Sequence, residues 1–428
     1  MRIAIVSDSE TAGGAAVAAS RLAGALAAAG HEIVRIVSIP DGRSHPWSTR
    51  RAVPPYARSR YYRLGRLAVN CVADGVLDER MAERWLGQAL GEVRPDVINV
   101  HNLHSAGMRP SLVRVCAGHA PTFWTLHDMW SFTGRCAYSF DCRKFLTGCD
   151  ASCPTPAEHP ALSPRRIPGA WRKRKQLLSD CLNITAVTPS RWLAREAAAG
   201  LWSGHRVEVI PYGLPLGVYQ PIDKQIARTA LGIRCSGPVL LVAAQGLTER
   251  RKGGDFLVEA LRRLSMRPVT LITLGSGRLD VPDDLQLHEL GYVDHERTKV
   301  LAYNAADILV HPAPVDNFPN VVMESMACGT PVVGFRTGGV PELVRPGLTG
   351  WLADEISARC LSEALGLALS QLGAGVDLSE ACRSTTVHEY DESLQAARYV
   401  CLFGESAPGR PERARGEDCS SESALTCR

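Results

Sequence analysis

The segment Asp316-Asn-Phe-Pro-Asn-Val-Val-Met-Glu324-Ser-Met-Ala-Cys-Gly-Thr-Pro-Val-Val333 contains a complete connection between two strands. Pro319 suits the first turn of a helix, where its missing N–H is one that no helix uses. Gly329 ends that helix, because it alone tolerates the left-handed backbone of a helix stop. Pro331-Val-Val then begins a buried strand, and another apolar run, residues 308–310, lies just upstream. Strand, helix and strand in this order predict parallel strands joined by a crossover helix.

The order repeats outward from this segment. Short β-branched runs recur at residues 207–210, 239–243, 269–274, 285–287, 308–310 and 331–334, and an earlier series occupies 3–6, 32–37, 97–100, 122–126 and 184–187. The expected fold is α/β, with two doubly wound, Rossmann-like units in tandem. A chain of 428 residues exceeds what one core usually serves, and its 45% hydrophobic content suffices for two. Turn residues in Ile210-Pro-Tyr-Gly-Leu-Pro-Leu-Gly217 place the crossing near residue 212, giving domains 1–211 and 212–403. Residues 404–428 carry few large apolar side chains and predict a disordered tail. Residues 40–66, rich in Arg, Pro and Tyr, predict a loop followed by a helix.

Charge is divided unevenly. Residues 1–200 hold 26 Lys and Arg against 16 Asp and Glu, whereas the remainder holds 22 against 28. A basic half suggests anionic substrates or an anionic membrane surface, with Arg58–Arg66 and Arg165–Lys175, including Trp171, as candidate contacts. Nucleic acid is not expected as a partner. No apolar run reaches the roughly 18 residues that a transmembrane helix needs. Met-Arg-Ile-Ala-Ile-Val-Ser-Asp8 is too short for the apolar region of a secretion signal and reads as a first strand. A cytoplasmic location is expected, with the fourteen cysteines as thiols.

Candidate site residues gather where predicted strands end, which is where open α/β sheets bind ligands. Gly13 and Gly14 open an alanine-rich helix after the first strand and permit close approach of an anion to its N-terminus. His101 and His104 follow one strand, and His127 and Asp128 follow the next, as candidate sugar or phosphate contacts. Arg250, Arg251 and Lys252 follow residues 239–243, where cations would hold a diphosphate and stabilise its charge as a leaving group. Gly275 ends the following strand and permits close approach of a nucleotide. Asp316 lies ahead of the helix at Pro319, the free amides of Asn320 and Val321 suit a phosphate, and Glu324 suits the two hydroxyls of a ribose. No Asp-X-Asp occurs, so the charge of a diphosphate is expected to be carried by Lys, Arg and a helix terminus, with no cofactor required. Cys136, Cys142, Cys149 and Cys153 form a loosely spaced set with a structural Zn²⁺ as one reading and reduced thiols as another.

These features together resemble the retaining glycosyltransferases of family 4, with a GT-B architecture of two facing Rossmann-like domains. The resemblance covers about residues 1 to 400. It implies a nucleotide-sugar donor (UDP-, GDP- or TDP-linked) in the second domain, and a glycan, lipid-linked or small-molecule acceptor in the first. The family's E-x7-E pattern appears as Asp316 and Glu324, with the first acid shortened. Its Arg and Lys pair appears as Leu247 and Lys252, so Arg250 or Arg251 would have to supply the second cation. The segment Trp124-Thr-Leu-His-Asp-Met-Trp, with the cysteines after it, is similar to a subgroup that builds exopolysaccharides such as colanic acid, and makes His127 the active-site histidine. An epimerase or phosphorylase with the same cleft, and a non-catalytic nucleotide-binding subunit, are the alternative readings.

Overall fold

The computed structural model describes residues 1–52, 76–104 and 108–405. Thirteen strands among them form two sheets. The first contains β1 (Arg2–Ser9), β2 (Glu32–Ile39), β3 (Ser48–Arg51), β4 (Val97–Val100), β5 (Thr122–Thr125), β6 (Thr185–Thr188) and β7 (Val207–Val209). The second contains β8 (Val239–Gly246), β9 (Thr270–Ser276), β10 (Gln286–Gly291), β11 (Ile308–His311), β12 (Val332–Phe335) and β13 (Gly350–Ala353). Their orders are β3-β2-β1-β4-β5-β6-β7 and β10-β9-β8-β11-β12-β13, and all these pairings are parallel.

Period-two alternation builds the first core. Ile3 and Ile5 point to one face with Leu22 and Leu26 of the helix Gly14–Ala28, whereas Ala4 and Val6 join Ile98, Trp124 and Trp202 on the other. Each such large side chain contributes about 1.5–3 kcal/mol when removed from water. The second sheet is covered on both faces, so β8 and β11 read as unbroken apolar runs.

Several expectations are corrected. Residues 207–209 close the first sheet against β6 and do not start the second; an edge strand with half-buried residues carries no signal of which sheet it joins. Ser48–Arg51 forms an exposed edge strand where a loop and helix were expected, held by backbone pairing to β2. The last helix, Glu392–Glu405, leaves the second unit, and its Tyr399, Leu402 and Phe403 pack with Ile3, Ile5 and Phe123. Tyr399 Oη also lies 2.9 Å from Thr125 Oγ1. Trp171 is buried, with Nε1 donating to the Phe145 carbonyl at 3.2 Å, and so is no membrane anchor. Arg58–Arg66 and most of the 404–428 tail lie outside the described residues. No described helix is long and apolar enough to cross a membrane.

Strand order reverses between β1 and β4 in the first sheet and between β8 and β11 in the second. Crevices at the carboxyl ends of such pairs are where this architecture binds ligands.

Candidate active site

Beyond β8, the chain turns through the short helix Arg250–Lys252. Gly253 takes φ 73°, and a Cβ there would lie 1.8 Å from the Pro312 carbonyl oxygen, so the basic turn rests directly on the loop after β11. Lys252 Nζ donates to Asp316 Oδ2 at 3.1 Å, and Arg251 Nη1 is 3.7 Å from the same oxygen. Burial alone would raise the Asp316 carboxyl, but Lys252 and Arg251 outweigh it and hold the group well below the usual carboxylate range. Burial brings Lys252 below its ordinary value despite Asp316. Two cations on one carboxylate leave positive charge to spare for an anion.

Arg251 is thus the second cation beside Asp316, while Leu247 is buried in the second core. Arg250 turns away to Glu158 at 2.9 Å, and its side chain is 76% exposed. Gly275 has a packing reason: a Cβ there would lie 1.8 Å from the Ala244 carbonyl oxygen of β8.

The helix at the E-x7-E segment runs from Asn320 to Ala327 with Pro319 as its cap, one residue later than expected. Val322 N–H bonds the Pro319 carbonyl, so the amides of Asn320 and Val321 are those that helix geometry leaves without an intrahelical acceptor. Asn320 Nδ2 donates to the Gly14 carbonyl at 3.1 Å, joining this helix start to the Gly13-Gly14 turn. Glu324 is buried; its Oε1 accepts from Arg21 and its Oε2 from Tyr303 Oη, each at 2.7 Å. Burial would push its carboxyl up, but the Arg21 guanidinium brings it below the ordinary value.

On the first sheet, His101 is buried and lines a small cavity together with His127 and Asp128. Asn99 Nδ2 donates to the Phe123 carbonyl and Thr125 Oγ1, leaving Asn99 Oδ1 to accept from His101 Nε2 at 2.7 Å. His101 Nδ1 therefore accepts from His127 Nε2 at 2.9 Å, and His127 Nδ1 accepts from Tyr212 Oη at 2.6 Å. Burial lowers His127 to about 4 and His101 well below its ordinary value, so this chain of rings is neutral. His104 behaves oppositely. Burial would lower it, but Asp128, whose Oδ2 lies 2.8 Å from His104 Nε2, raises it.

The two carboxyl edges meet. Asn317 Nδ2 donates to the His127 carbonyl at 3.0 Å, and Tyr138 Oη to Asp316 Oδ1 at 3.3 Å. Sequence reasoning missed Asn317, Tyr138, Tyr212 and Arg21, whose roles depend on contacts 85 to 303 residues away along the chain.

Two facing parallel sheets with a cation–carboxylate cluster at one switch point and a histidine pair at the other define the GT-B class of glycosyltransferase. Residues 12–217 match the family described as Glycosyltransferase Family 4 and residues 237–371 match Glycosyl transferases group 1, and the chain belongs to this glycosyltransferase family. WcaC of Escherichia coli strain K12, named for colanic acid biosynthesis, is 28% identical over 71% of this chain and 73% of its own. A D-inositol 3-phosphate glycosyltransferase of Mycobacteroides abscessus is 35% identical over 40% of each chain. In fold, sucrose-phosphate synthase from Thermosynechococcus elongatus superposes with a TM-score of 0.70 at 19% identity, covering 94% of this chain and 98% of that one. Anabaena HepE in complex with UDP-glucose gives 0.65 at 17% identity, covering 95% and 100%.

Proposed function

We propose that this glycosyltransferase is a retaining enzyme that takes its sugar from a nucleotide-sugar donor. The observation that carries the reading is the cluster of Lys252, Arg251 and Asp316 at the second switch point, joined through Asn317 to the backbone of His127. Lys252, Arg251 and the amides of Asn320 and Val321 hold the diphosphate, and Glu324 takes the ribose hydroxyls. The acceptor lies on the first-sheet side, against His104 and Asp128. The donor unit spans residue 212 to the last helix, and that helix returns to the acceptor unit.

The bond from the anomeric carbon to the diphosphate oxygen breaks as the acceptor oxygen approaches from the same face, and the departing phosphate oxygen takes the acceptor's proton. Cations fixed in advance stabilise the charge that grows on the leaving group. No dedicated nucleophile is needed, and transfer proceeds without added Mg²⁺. HepE, solved with UDP-glucose, supports a donor of this class.

Purified protein incubated with UDP-, GDP- and TDP-sugars should release nucleotide from one donor only when acceptor is present, with the new linkage keeping the donor's anomeric configuration by NMR. Turnover of none, or an inverted product, overturns the reading. Peripheral contact with an anionic membrane falls to the exposed face of the helix Ile167–Asp180, with Arg172, Lys173 and Lys175. Each contributes about 1 kcal/mol near such a surface. Replacing the three with Gln should release the protein from anionic vesicles.

A further inference from the structure

The loop between His127 and the helix Ile167–Asp180 carries four cysteines that sugar transfer does not use. Cys136 has Cys153 as its neighbour, and Cys149 has Cys136, Cys142 and Cys153 close by. Gly134 makes room for this gathering, since a Cβ there would lie 2.6 Å from that of Cys149. Its N–H donates to Cys149 Sγ at 3.2 Å, and Arg135 Nη2 donates to Cys136 Sγ at 3.6 Å.

The surrounding charges make the stronger argument. Arg135 and Arg174 are 2% and 5% exposed, and neither forms an ion pair with a carboxylate among the described residues. Arg135 donates to the carbonyls of Glu158 and Pro160 and to Thr155 Oγ1. Arg174 donates to the carbonyls of Gly134 and Ala170 and lies 4.3 Å from the centre of the Trp130 ring. Both Nε atoms are buried without a partner. The acidic side chains acting on Arg174 are Cys149, Asp128 and Cys136; burial keeps the two thiols protonated in the metal-free protein, and Asp128 already pairs with His104. Burying a guanidinium without a counter-charge costs several kcal/mol. Four thiolates around a divalent ion carry two units of negative charge, one for each guanidinium.

We propose that Cys136, Cys142, Cys149 and Cys153 bind one structural zinc ion, with Arg135 and Arg174 balancing the charge of the tetrathiolate. No three of these sulfurs lie within 4.8 Å of one another, and zinc binding draws them together to bonds of about 2.3 Å. Among the described residues, the group whose ligand atoms all lie within 4.8 Å is Glu10, Asp41 and His45. It is a separate set of oxygen and nitrogen donors with no thiol: Glu10 accepts from Trp47 Nε1, Thr49 Oγ1 and Asp41 N–H, and Asp41 from Thr11, Arg43 N–H and His45. With all four positions filled by protein, the zinc is structural and keeps no open site for catalysis. It fixes the loop that presents Tyr138 to Asp316 at 3.3 Å and Phe140 beneath Arg250, 5.8 Å from its guanidinium carbon.

Protein purified under reducing, chelator-free conditions should contain about one equivalent of zinc by mass spectrometry, released as a mercurial modifies its thiols. Cys149→Ser and Cys153→Ser should fall below about a tenth of an equivalent, while Cys235→Ser keeps its zinc. Arg174→Met should lose zinc to a chelator about tenfold faster or more. Less than about a tenth of an equivalent in the wild type overturns the proposal, as does finding the four cysteines paired in disulfides. Where serine variants are insoluble, the mercurial titration of the wild type decides: modification of every reactive thiol without zinc release overturns it equally.

Discussion

Arg21, on the first-sheet helix Gly14–Ala28, donates to Glu324 of the second half at 2.7 Å, and both are buried at the seam between the sheets. Arg21 also donates to Tyr219 Oη at 3.0 Å and Glu296 at 3.2 Å. A carboxylate oxygen can accept more than one hydrogen bond, so Arg21 and Tyr303 can orient Glu324 while it still receives a ribose hydroxyl. Removing either partner leaves the other as a buried charge.

Glu324→Ala should therefore lower the unfolding free energy by about 3–5 kcal/mol, because Arg21 loses its main counter-charge. The double variant Arg21→Met/Glu324→Leu should recover most of that stability yet bind nucleotide about 1.5–3 kcal/mol more weakly than the wild type. Denaturant unfolding and calorimetric titration separate the two effects. Wild-type nucleotide affinity in the double variant contradicts the ribose role, whatever its stability.

The cations after β8 are not equivalent. Lys252→Ala should cut kcat by about 10²-fold or more at saturating donor, as loss of a charge aimed at the leaving group does. Arg251→Ala should reduce it too, since Arg251 shares Asp316 with Lys252. Arg250→Ala should stay near wild type, because that side chain reaches out to Glu158. Steady-state kinetics of the three variants test the ranking, and a defect in Arg250→Ala as large as that in Lys252→Ala reverses it.

Both sheets were legible from short β-branched runs alternating with helical patterns, and so was the placing of Lys252 and Asp316 after strands and of Glu324 on a helix. Edge strand β3 was not, because its exposed residues leave no hydrophobic pattern to read, and β7 was read as a strand but placed in the wrong sheet. The last helix was misplaced because an amphipathic helix shows that it buries a face but not against which sheet. Arg21 was invisible for a different reason. It sits mid-helix among alanines, and only the three-dimensional approach of Glu324 gives it a role.

His104 and His127 should separate in their pH dependence. Asp128 raises the folded value of His104 above 6.5 against the opposing effect of burial, so activity that depends on its protonated form is full below 6.5 and falls as pH rises through the raised value. His127, lowered to about 4, stays neutral across that window. An inflection on the alkaline side of 6.5 in kcat/KM should vanish in His104→Asn and persist in His127→Asn, where the rate itself drops. Persistence of that inflection in His104→Asn refutes its assignment.

His311, at the end of β11, tests the electrostatics of the donor crevice through stability alone. It is 4% exposed, its Nε2 has no hydrogen-bond partner, and the nearest carboxylate oxygen, on Asp316, is 3.8 Å away. Burial, opposed by Asp316 and reinforced by Lys252 and Arg251, lowers it to about 4. The folded value lies below the unfolded one of about 6.5, so the unfolded chain takes up a proton that the fold refuses. Above 6.5 both states are neutral and the group has no effect, whereas between 6.5 and 4 stability falls as pH falls. At pH 5 the loss from this residue is about 2 kcal/mol. Asp316 does not mask it, because its own depressed value acts only at lower pH. Urea unfolding at pH 7 and pH 5 should show a smaller acid-induced loss in His311→Gln than in the wild type, by about that amount. Equal losses would mean that His311 titrates at its ordinary value and that the crevice exposes it to water.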